Sequence, residues 1–461
     1  MASPNIVWIT LDSVRADHTS LDGYDRETTP SLERVADAGH GFSTCISHGK
    51  STLTSSGAIM TGYAPTRTRV GIDGNSLPDN IRTIPERFRA AGYTTACLSR
   101  NSYLSSATNL DKGFDRFKWL ASSTMHTVGL RTLAKYFSSI RTHSAGLTLD
   151  TSKHASALLM NETAKNWLSD FQGAEEPFFF YLHYNEPHRP YYPPGKYLDT
   201  FAGDLPMSGR EAAELALEIH YDLNEIVATG RDLTEEEWAV LEAMYDAEIA
   251  YTDEMVGNLV EHIQASQLED TIVVITADHG ELFGEFGLLS HSYVLHDAVT
   301  RVPLVVSGLD TPLVPESDGI VQHSDVMTTL LSVSDADPGD TMGVDLRQKA
   351  PDYAVSQRGP ETFEELLEHN PGFDTSKFHS ETLTSIRTDE FRYQTSGERD
   401  ELFALTDQET DVTDSYPATA ADLAETTTAW LDEHGEPATE GHKLQFSGAV
   451  RRQLRDLGYM E

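Results

Sequence analysis

The sequence predicts an α/β fold that ends in a small antiparallel sheet with a covering helix, and three observations predict it. Strand-like and helix-like segments alternate through most of the 461 residues, as they do in chains built from βα units. Two apolar β-forming runs, far apart in sequence, each end in an acidic residue: Ile6-Val7-Trp8-Ile9-Thr10-Leu11 runs into Asp12, and Ile272-Val273-Val274-Ile275-Thr276-Ala277 runs into Asp278-His279-Gly280-Glu281. Open α/β sheets bind ligands beyond the carboxyl ends of their strands, so the two runs point to one metal site assembled at adjacent strand tips. Finally, the segments that follow a polar stretch between Asp335 and Ser376 are short and strand-like.

The elements follow in order. After the first strand, residues 29–39 read as a helix, with Thr29 suited to the N-cap, Pro30 to the first turn and Gly39 to the stop. A second amphipathic helix is predicted over residues 81–91, with a strand over 94–99 behind it. Residues 155–171 read as a helix leading to the apolar strand 178–182, and residues 211–267 as helical and strongly acidic, most clearly over 232–253. A buried strand is expected at 302–306 and a short helix at 325–334. The polar stretch places the domain boundary between residues 1–370 and a small α+β domain of residues 371–461. Its strands are expected at 382–388, 391–395 and 402–405, and its helix at 420–432. No internal repeat is visible.

Acidic side chains number 73 against 34 basic ones, a formal charge of −39 spread along the chain. Such self-repulsion is tolerated when molar salt screens it within about 3 Å, so the composition predicts a halophilic source. The same charge disfavours nucleic acid or an anionic membrane as partner. No apolar run approaches the roughly 20 residues needed to span a bilayer, so no membrane anchor is expected. The first residues carry no basic n-region and no separate h-region, so the expected location is cytoplasmic. Cys45 and Cys97 are the only two cysteines; they match no zinc spacing and are expected to be reduced and structural.

The phrase Ser51-Thr52-Leu53-Thr54-Ser55-Ser56-Gly57-Ala58-Ile59-Met60-Thr61-Gly62 places hydroxyls ahead of an apolar helical run. Free N–H groups at a helix start favour an anion, although a Ser/Thr-rich cap has the same composition. With it, residues 5–15, 29–39, 51–65 and 92–101, Gly113-Phe114-Asp115, Pro187-His188-Arg189-Pro190-Tyr191, residues 245–257 and 270–303, and Glu401-Leu402-Phe403-Ala404-Leu405 stand in one order and spacing. Together they resemble the sulfatase family of the alkaline phosphatase superfamily over nearly the whole chain.

That resemblance implies a large mixed, mostly parallel sheet between helices, followed by the small C-terminal sheet domain. It also implies a nucleophile attacking sulfur or phosphorus in line, with a cation stabilising the nucleophile's anion and the charge on the transferred group. Asp12 matches the first metal carboxylate, and Asp278 and His279 match the second ligand pair. Counting back from Thr61-Gly62 puts the nucleophile, itself a ligand, at Thr52. Sulfatases carry there a cysteine or serine matured to formylglycine within Cys-X-Pro-X-Arg. Here the phrase is Thr52-Leu53-Thr54-Ser55-Ser56, with neither proline nor arginine. Threonine cannot yield the aldehyde, but it can attack directly as an alkoxide once a metal lowers its pKa, as in phosphate-ester-cleaving relatives.

Other positions depart from the family pattern too. Ser13 stands where a second aspartate is usual, and Ser56 where the arginine is, which leaves Lys50 as the nearby cation for the substrate anion. His291 stands where a lysine is common and can donate to that anion or protonate the leaving group. His188 resembles the leaving-group histidine, and its imidazole suits general-acid work near neutrality. Asn101 matches an asparagine that contacts the anion. His183, His296 and Lys112 read as packing or surface, and Cys45, which lacks the maturation phrase, as core. Asp150 and His154 have the Asp-X-X-X-His spacing of a second zinc set, but they precede the strand instead of following it. One divalent ion is therefore expected on Asp12, Thr52, Asp278 and His279, with Ca²⁺, Mg²⁺, Mn²⁺ and Zn²⁺ all admissible. The expected activity is hydrolysis of a small-molecule sulfate, phosphate or phosphonate ester through a covalent intermediate on Thr52, phosphoesters favoured. The rivals are a phospho-group transferase and a catalytically weak binding protein. Residues 122–152 and 199–235, the loops expected to select the organic portion, carry no readable code.

Overall fold

The apolar run that opens the chain forms β1 (Asn5–Leu11) in a computed structural model that describes residues 3–73, 76–121, 124, 128–145, 153–266, 268, 270–437 and 448. The further strands are β2 (Gly39–Ile46), β3 (Thr94–Ser99), β4 (Arg116–Trp119), β5 (Phe178–Tyr184), β6 (Thr271–Ala277), β7 (Leu282–Phe283), β8 (Leu289–Ser290), β9 (Arg301–Ser307) and β10 (Val321–Gln322). Eight of them make one sheet in the order β10-β2-β9-β6-β1-β5-β3-β4, and β7 and β8 pair as a separate short ribbon. Its pairs are parallel except at β9, which runs antiparallel to β2 and β6. The sheet is therefore mixed and mostly parallel, as expected.

Why β1, β5 and β6 read as unbroken apolar runs follows from their place. A strand in the middle of a parallel sheet is covered on both faces, so alternation is lost. Every residue of β5 is buried, and the two faces are visible in its neighbours: Phe88, from the helix Ile84–Ala90, stacks on Phe179 at 4.5 Å, while Trp167, from the helix Ala157–Phe171, stacks on Phe180 at 5.6 Å. Adjacent strand residues point to opposite faces, so the two helices sandwich the sheet. Capping boxes start several helices: Thr83 with Glu86, Ser208 with Glu211, and Thr234 with Glu237. The last opens the 30-residue helix Glu235–Gln264, whose first turn holds three glutamates at the positive end of its dipole.

The small sheet is β11 (Ala354–Arg358), β12 (Leu383–Arg387), β13 (Phe391–Thr395) and β14 (Asp400–Ala404), antiparallel in that order. The helix Pro417–Trp430 covers it, and Val355, Ile386, Tyr393, Leu402, Leu423 and Trp430 share one apolar cluster. Six strands had no sequence signal: β2, β4, β7, β8, β10 and β11. Among them β2 begins at Gly39, expected only as a helix stop; a Cβ there would sit 2.4 Å from the Val306 carbonyl oxygen, so the glycine also lets β2 close on β9. The strand β11 hides inside the polar stretch, and β4 is a half-buried edge. Among the described residues no helix is long and apolar enough to cross a membrane.

Candidate active site

The strand β1 lies between β6 and β5, with Leu11 opposite Ala277 on one side and Tyr184 on the other. One step further along, Asp12 and Asp278 leave the sheet side by side, both fully buried. His183, one residue before the end of β5 and opposite Thr10, joins them. One ligand atom from each of Asp12, His183 and Asp278 lies within 4.8 Å of the others. His183 Nε2 is 3.3 Å from Asp12 Oδ2 and 3.8 Å from Asp278 Oδ2. The reading of His183 as packing is therefore corrected. The signal was present: His183 is the first residue after the apolar run 178–182, just as Asp12 and Asp278 follow theirs.

The two carboxyls are electrostatically unlike. Asp278 Oδ1 accepts the amides of Ser13 at 3.2 Å and His279 at 3.0 Å, while its buried Oδ2 has no hydrogen-bond partner. Burial, and then the charge of Asp12, push the Asp278 carboxyl well up. Burial acts on Asp12 in the same sense, but His188, His183 and His279 outweigh it and hold Asp12 below the usual carboxylate range. Ser13 sits in the left-handed region at φ 66°, a conformation that costs a non-glycine residue on the order of 1 kcal/mol. It is pinned there by the Tyr245 hydroxyl, which donates to the Ser13 carbonyl at 2.6 Å and accepts from the Arg15 amide at 3.0 Å. The strained turn aims the Ser13 amide at Asp278. Two buried carboxylates and an oxygen without a donor fit a divalent cation, because such a cluster otherwise leaves like charges uncompensated.

Thr52 is the first residue of the helix Thr52–Thr61, and the Ser51 side chain makes no capping bond to its first turn. Thr52 Oγ1 lies 3.5 and 3.4 Å from the Asp12 carboxylate oxygens and 3.4 Å from His279 Nε2. His279 Nδ1 donates to the Gly280 carbonyl at 2.8 Å, which turns the Nε2 lone pair inward, the arrangement of a metal-ligating imidazole. Gly280 itself is required, since a Cβ there would sit 2.1 Å from the Ala298 carbonyl oxygen. Asn101, just past β3, donates from Nδ2 to Asp12 Oδ2 at 2.9 Å and to Thr52 Oγ1 at 3.4 Å.

His188 and His291 stand over this floor. Their ring centroids are 5.3 Å apart, and His291 lies 4.4 Å and His188 6.4 Å from the His279 ring. His188 Nδ1 donates to the Arg189 carbonyl at 2.8 Å. Burial, with Arg189 and His279 nearby, brings the His188 imidazole down to about 4, against the pull of Asp12, and burial beside His279 and His188 also holds His291 well below the ordinary imidazole range. Glu281 was missed as a site residue. Its Oε1 lies 3.1 Å from His291 Nδ1, its Oε2 accepts from the Tyr191 hydroxyl at 3.3 Å, and burial raises it to about 7. Its position two residues past His279 was the available hint. Lys50 ends in an ion pair with Glu361 at 2.9 Å, close enough for its charge to be felt at His291.

Cys45, His296 and Lys112 stand apart from this cluster. Cys45 is buried and burial pushes its thiol up; His296 caps a short helix by accepting from the Ala298 amide at 3.0 Å; Lys112 bonds the carbonyls of Asp79 and Ile81 at 2.6 and 2.8 Å. Asp150 lies outside the described residues, and His154 Nδ1 is 2.6 Å from Ser144 Oγ.

Known proteins share this fold. The chain is 24% identical over 366 residues to a sulfatase of Formosa agariphila, covering 72% of this chain and 69% of that protein. It is 24% identical over 367 residues to an arylsulfatase of Clostridium perfringens, covering 71% and 74%. Its fold superposes on the phosphonate monoester hydrolase of Agrobacterium radiobacter with a TM-score of 0.72 at 19% identity, over 94% of this chain and 96% of that one. The phosphonate monoester hydrolase of Silicibacter pomeroyi gives 0.69 at 19% identity, over 96% and 97%. The sulfatase family profile matches residues 4–336, and with it the chain belongs to the sulfatase family and is an ester hydrolase.

Proposed function

We propose that this enzyme cleaves phosphate or phosphonate esters of small molecules in preference to sulfate esters, through a covalent intermediate on Thr52. The observation that carries the reading is the placement of Thr52 Oγ1, at a helix start and within 3.5 Å of Asp12 and His279. The helix start presents free amides to an anion, and Asn101 adds a donor beside Thr52. Asp12, Asp278, His279 and His183 are the residues that would hold a divalent cation, and two imidazoles beside two carboxylates suit Mn²⁺ or Zn²⁺ better than Ca²⁺. Bound there, such an ion supplies stabilisation of the Thr52 oxyanion and of the charge on the transferred group.

Thr52 Oγ releases its proton to solvent and attacks phosphorus in line, and the bond from phosphorus to the leaving oxygen breaks. His188 gives a proton to that oxygen from its imidazolium form, which a bound anionic substrate favours by opposing the effect of burial. Water then attacks the threonine ester, returning the hydroxyl and releasing the phosphorus acid. Formylglycine chemistry has no precursor here, which is the reason for preferring phosphorus over sulfur. The names of the two phosphonate hydrolases with this fold agree with that preference.

The test compares p-nitrophenyl esters of phosphate, phenylphosphonate and sulfate in the presence of Mn²⁺ or Zn²⁺. Turnover of the phosphorus esters is expected to exceed that of the sulfate, and Thr52→Ala to lower it by about a thousandfold or more. Undiminished turnover by the folded variant would remove Thr52 from the chemistry.

A further inference from the structure

Two segments bring histidines to the site: a strap of residues 187–192 carries His188, and a loop of residues 288–294 carries His291. Both segments meet at one side chain. Glu281 is 1% exposed; its Oε1 lies 3.1 Å from His291 Nδ1 on the loop, and its Oε2 accepts from the Tyr191 hydroxyl on the strap at 3.3 Å. Arg189 ties the same two segments a second time, donating from Nε to Ser290 Oγ at 3.0 Å. The backbone of Glu281 is itself held, because its amide donates to the Ala298 carbonyl at 3.0 Å and its carbonyl accepts from Arg15 Nη1 at 3.1 Å.

The loop shows why such a clamp is needed. Ser290 and Tyr293, on either side of His291, have φ of 74° and 68°, a region that residues with a Cβ seldom occupy. A conformation of that kind persists only where its surroundings over-determine it. The imidazole has a choice of its own, since turning the ring over about its last torsion exchanges Nδ1 with a carbon. A carboxylate oxygen only accepts, so its bond to Nδ1 selects one ring orientation and one tautomer. Nε2 is then the nitrogen left for the site, and it makes no hydrogen bond among the described residues. The ring centroid lies 4.4 Å from that of His279, whose Nε2 is 3.4 Å from Thr52 Oγ1.

We infer that Glu281 is a positioning residue of the ester cleavage, acting through His291 by fixing the ring so that Nε2 meets the group transferred to Thr52. A carboxylate that orients an imidazole in this way contributes geometry and tautomer without touching the substrate. Tyr191 holds the other oxygen of the same carboxyl, so strap and loop are set together, with the rings of His188 and His291 5.3 Å apart. The inference rests on the esterase reading of the site.

The experiment is a double-mutant cycle on the metal-loaded protein, with the p-nitrophenyl ester it turns over fastest. His291→Gln is expected to lower kcat by about a hundredfold and Glu281→Gln by about tenfold or more, each with KM little changed. Because Glu281 acts through His291, the double variant should be no slower than His291→Gln alone. Glu281→Asp keeps the acceptor and should recover part of the loss, which damage to packing alone would not allow. In the metal-free protein the His291 Nδ1 proton should give a low-field NMR resonance, missing from His291→Gln and displaced in Glu281→Gln. Losses that multiply in the double variant, undiminished kcat in Glu281→Gln, or a resonance that Glu281→Gln leaves in place would each overturn the role. The two readings fail separately: a wild type that prefers the aryl sulfate sinks the phosphorus preference and leaves the cycle on that ester to judge Glu281, whereas phosphorus-ester turnover with multiplying losses sinks only the role of Glu281. A wild type that turns over no ester sinks both.

Discussion

Asp12 and Asp278 make one pair of buried carboxyls in this molecule, and Glu186 and Glu248 make another. In the second pair, Glu186 Oε1 accepts from the amide and hydroxyl of Ser156, and Glu248 Oε1 accepts from the Tyr192 amide at 3.1 Å. Each keeps a buried Oε2 without a hydrogen-bond partner, and no imidazole among the described residues bonds either group. Burial, and then the charge of Glu186, raise Glu248 to about 8, so at neutral pH it carries a proton. In the first pair the orphaned oxygen of Asp278 faces His183 and His279, whose Nε2 atoms lie 3.8 and 3.9 Å away. The two pairs share the same electrostatic problem, since neighbouring buried carboxylates cannot both stay ionised uncompensated. A proton answers it where only backbone amides and a serine hydroxyl bond the pair. Where imidazole lone pairs converge as well, the geometry suits a cation, and that difference separates a structural acid pair from a site.

The largest test of that contrast is Asp278→Asn. It removes a charged ligand, so metal content and ester turnover should both collapse, turnover by about a thousandfold or more. The metal-free variant should nevertheless melt above the metal-free wild type at pH 8, because the uncompensated buried charge is gone. Metal analysis with calorimetric melting checks both. A variant that keeps stoichiometric metal would end the distinction between the two pairs. Next in size is His183→Ala, expected to weaken metal affinity by about 10–100-fold with the sheet intact, read by competition with a chelating dye. Retained affinity would return His183 to the packing role its sequence context suggested.

Much of this was legible in the residues because strand tips announce themselves. A continuous apolar run is what a doubly covered parallel strand must be, and the first polar residue after it falls at the sheet edge; Asp12 and Asp278 were found that way. Applied to residues 178–182, the same rule yields His183. What sequence could not show is lateral order. Nothing in β1, β5 or β6 says that β1 lies between the other two, and that adjacency turns three separate tips into one cluster. Among the strands that escaped notice, β2 with its glycines and β4 at the edge get their stability from neighbours far along the chain. Glu281 was hidden for a similar reason. Its role comes from meeting His291 and Tyr191 in space, and a glutamate two residues past a histidine has no periodicity to betray it.

The smallest and most discriminating change is Glu248→Gln. Glutamine keeps the acceptor for the Tyr192 amide and has nearly the volume of a protonated glutamate, so at low pH little should change. The wild-type carboxyl is different as pH rises. Its folded value, about 8, lies above the ordinary 4.5, so between those values the folded state binds the proton more tightly than the unfolded chain does. Stability must then fall with pH, from no penalty below about 4.5 to the full penalty above about 8, with a ceiling on the order of a few kcal/mol. Glutamine has no proton to lose, so the variant's denaturation curves should coincide with wild type near pH 4.5 and be displaced to higher denaturant at pH 9. Metal affinity should be equal in the two proteins, because this pair lies outside the cation's ligand set. Parallel curves across the whole range would mean that Glu248 is not neutralised by a proton, and the pair would then have to be held by a cation like its neighbour.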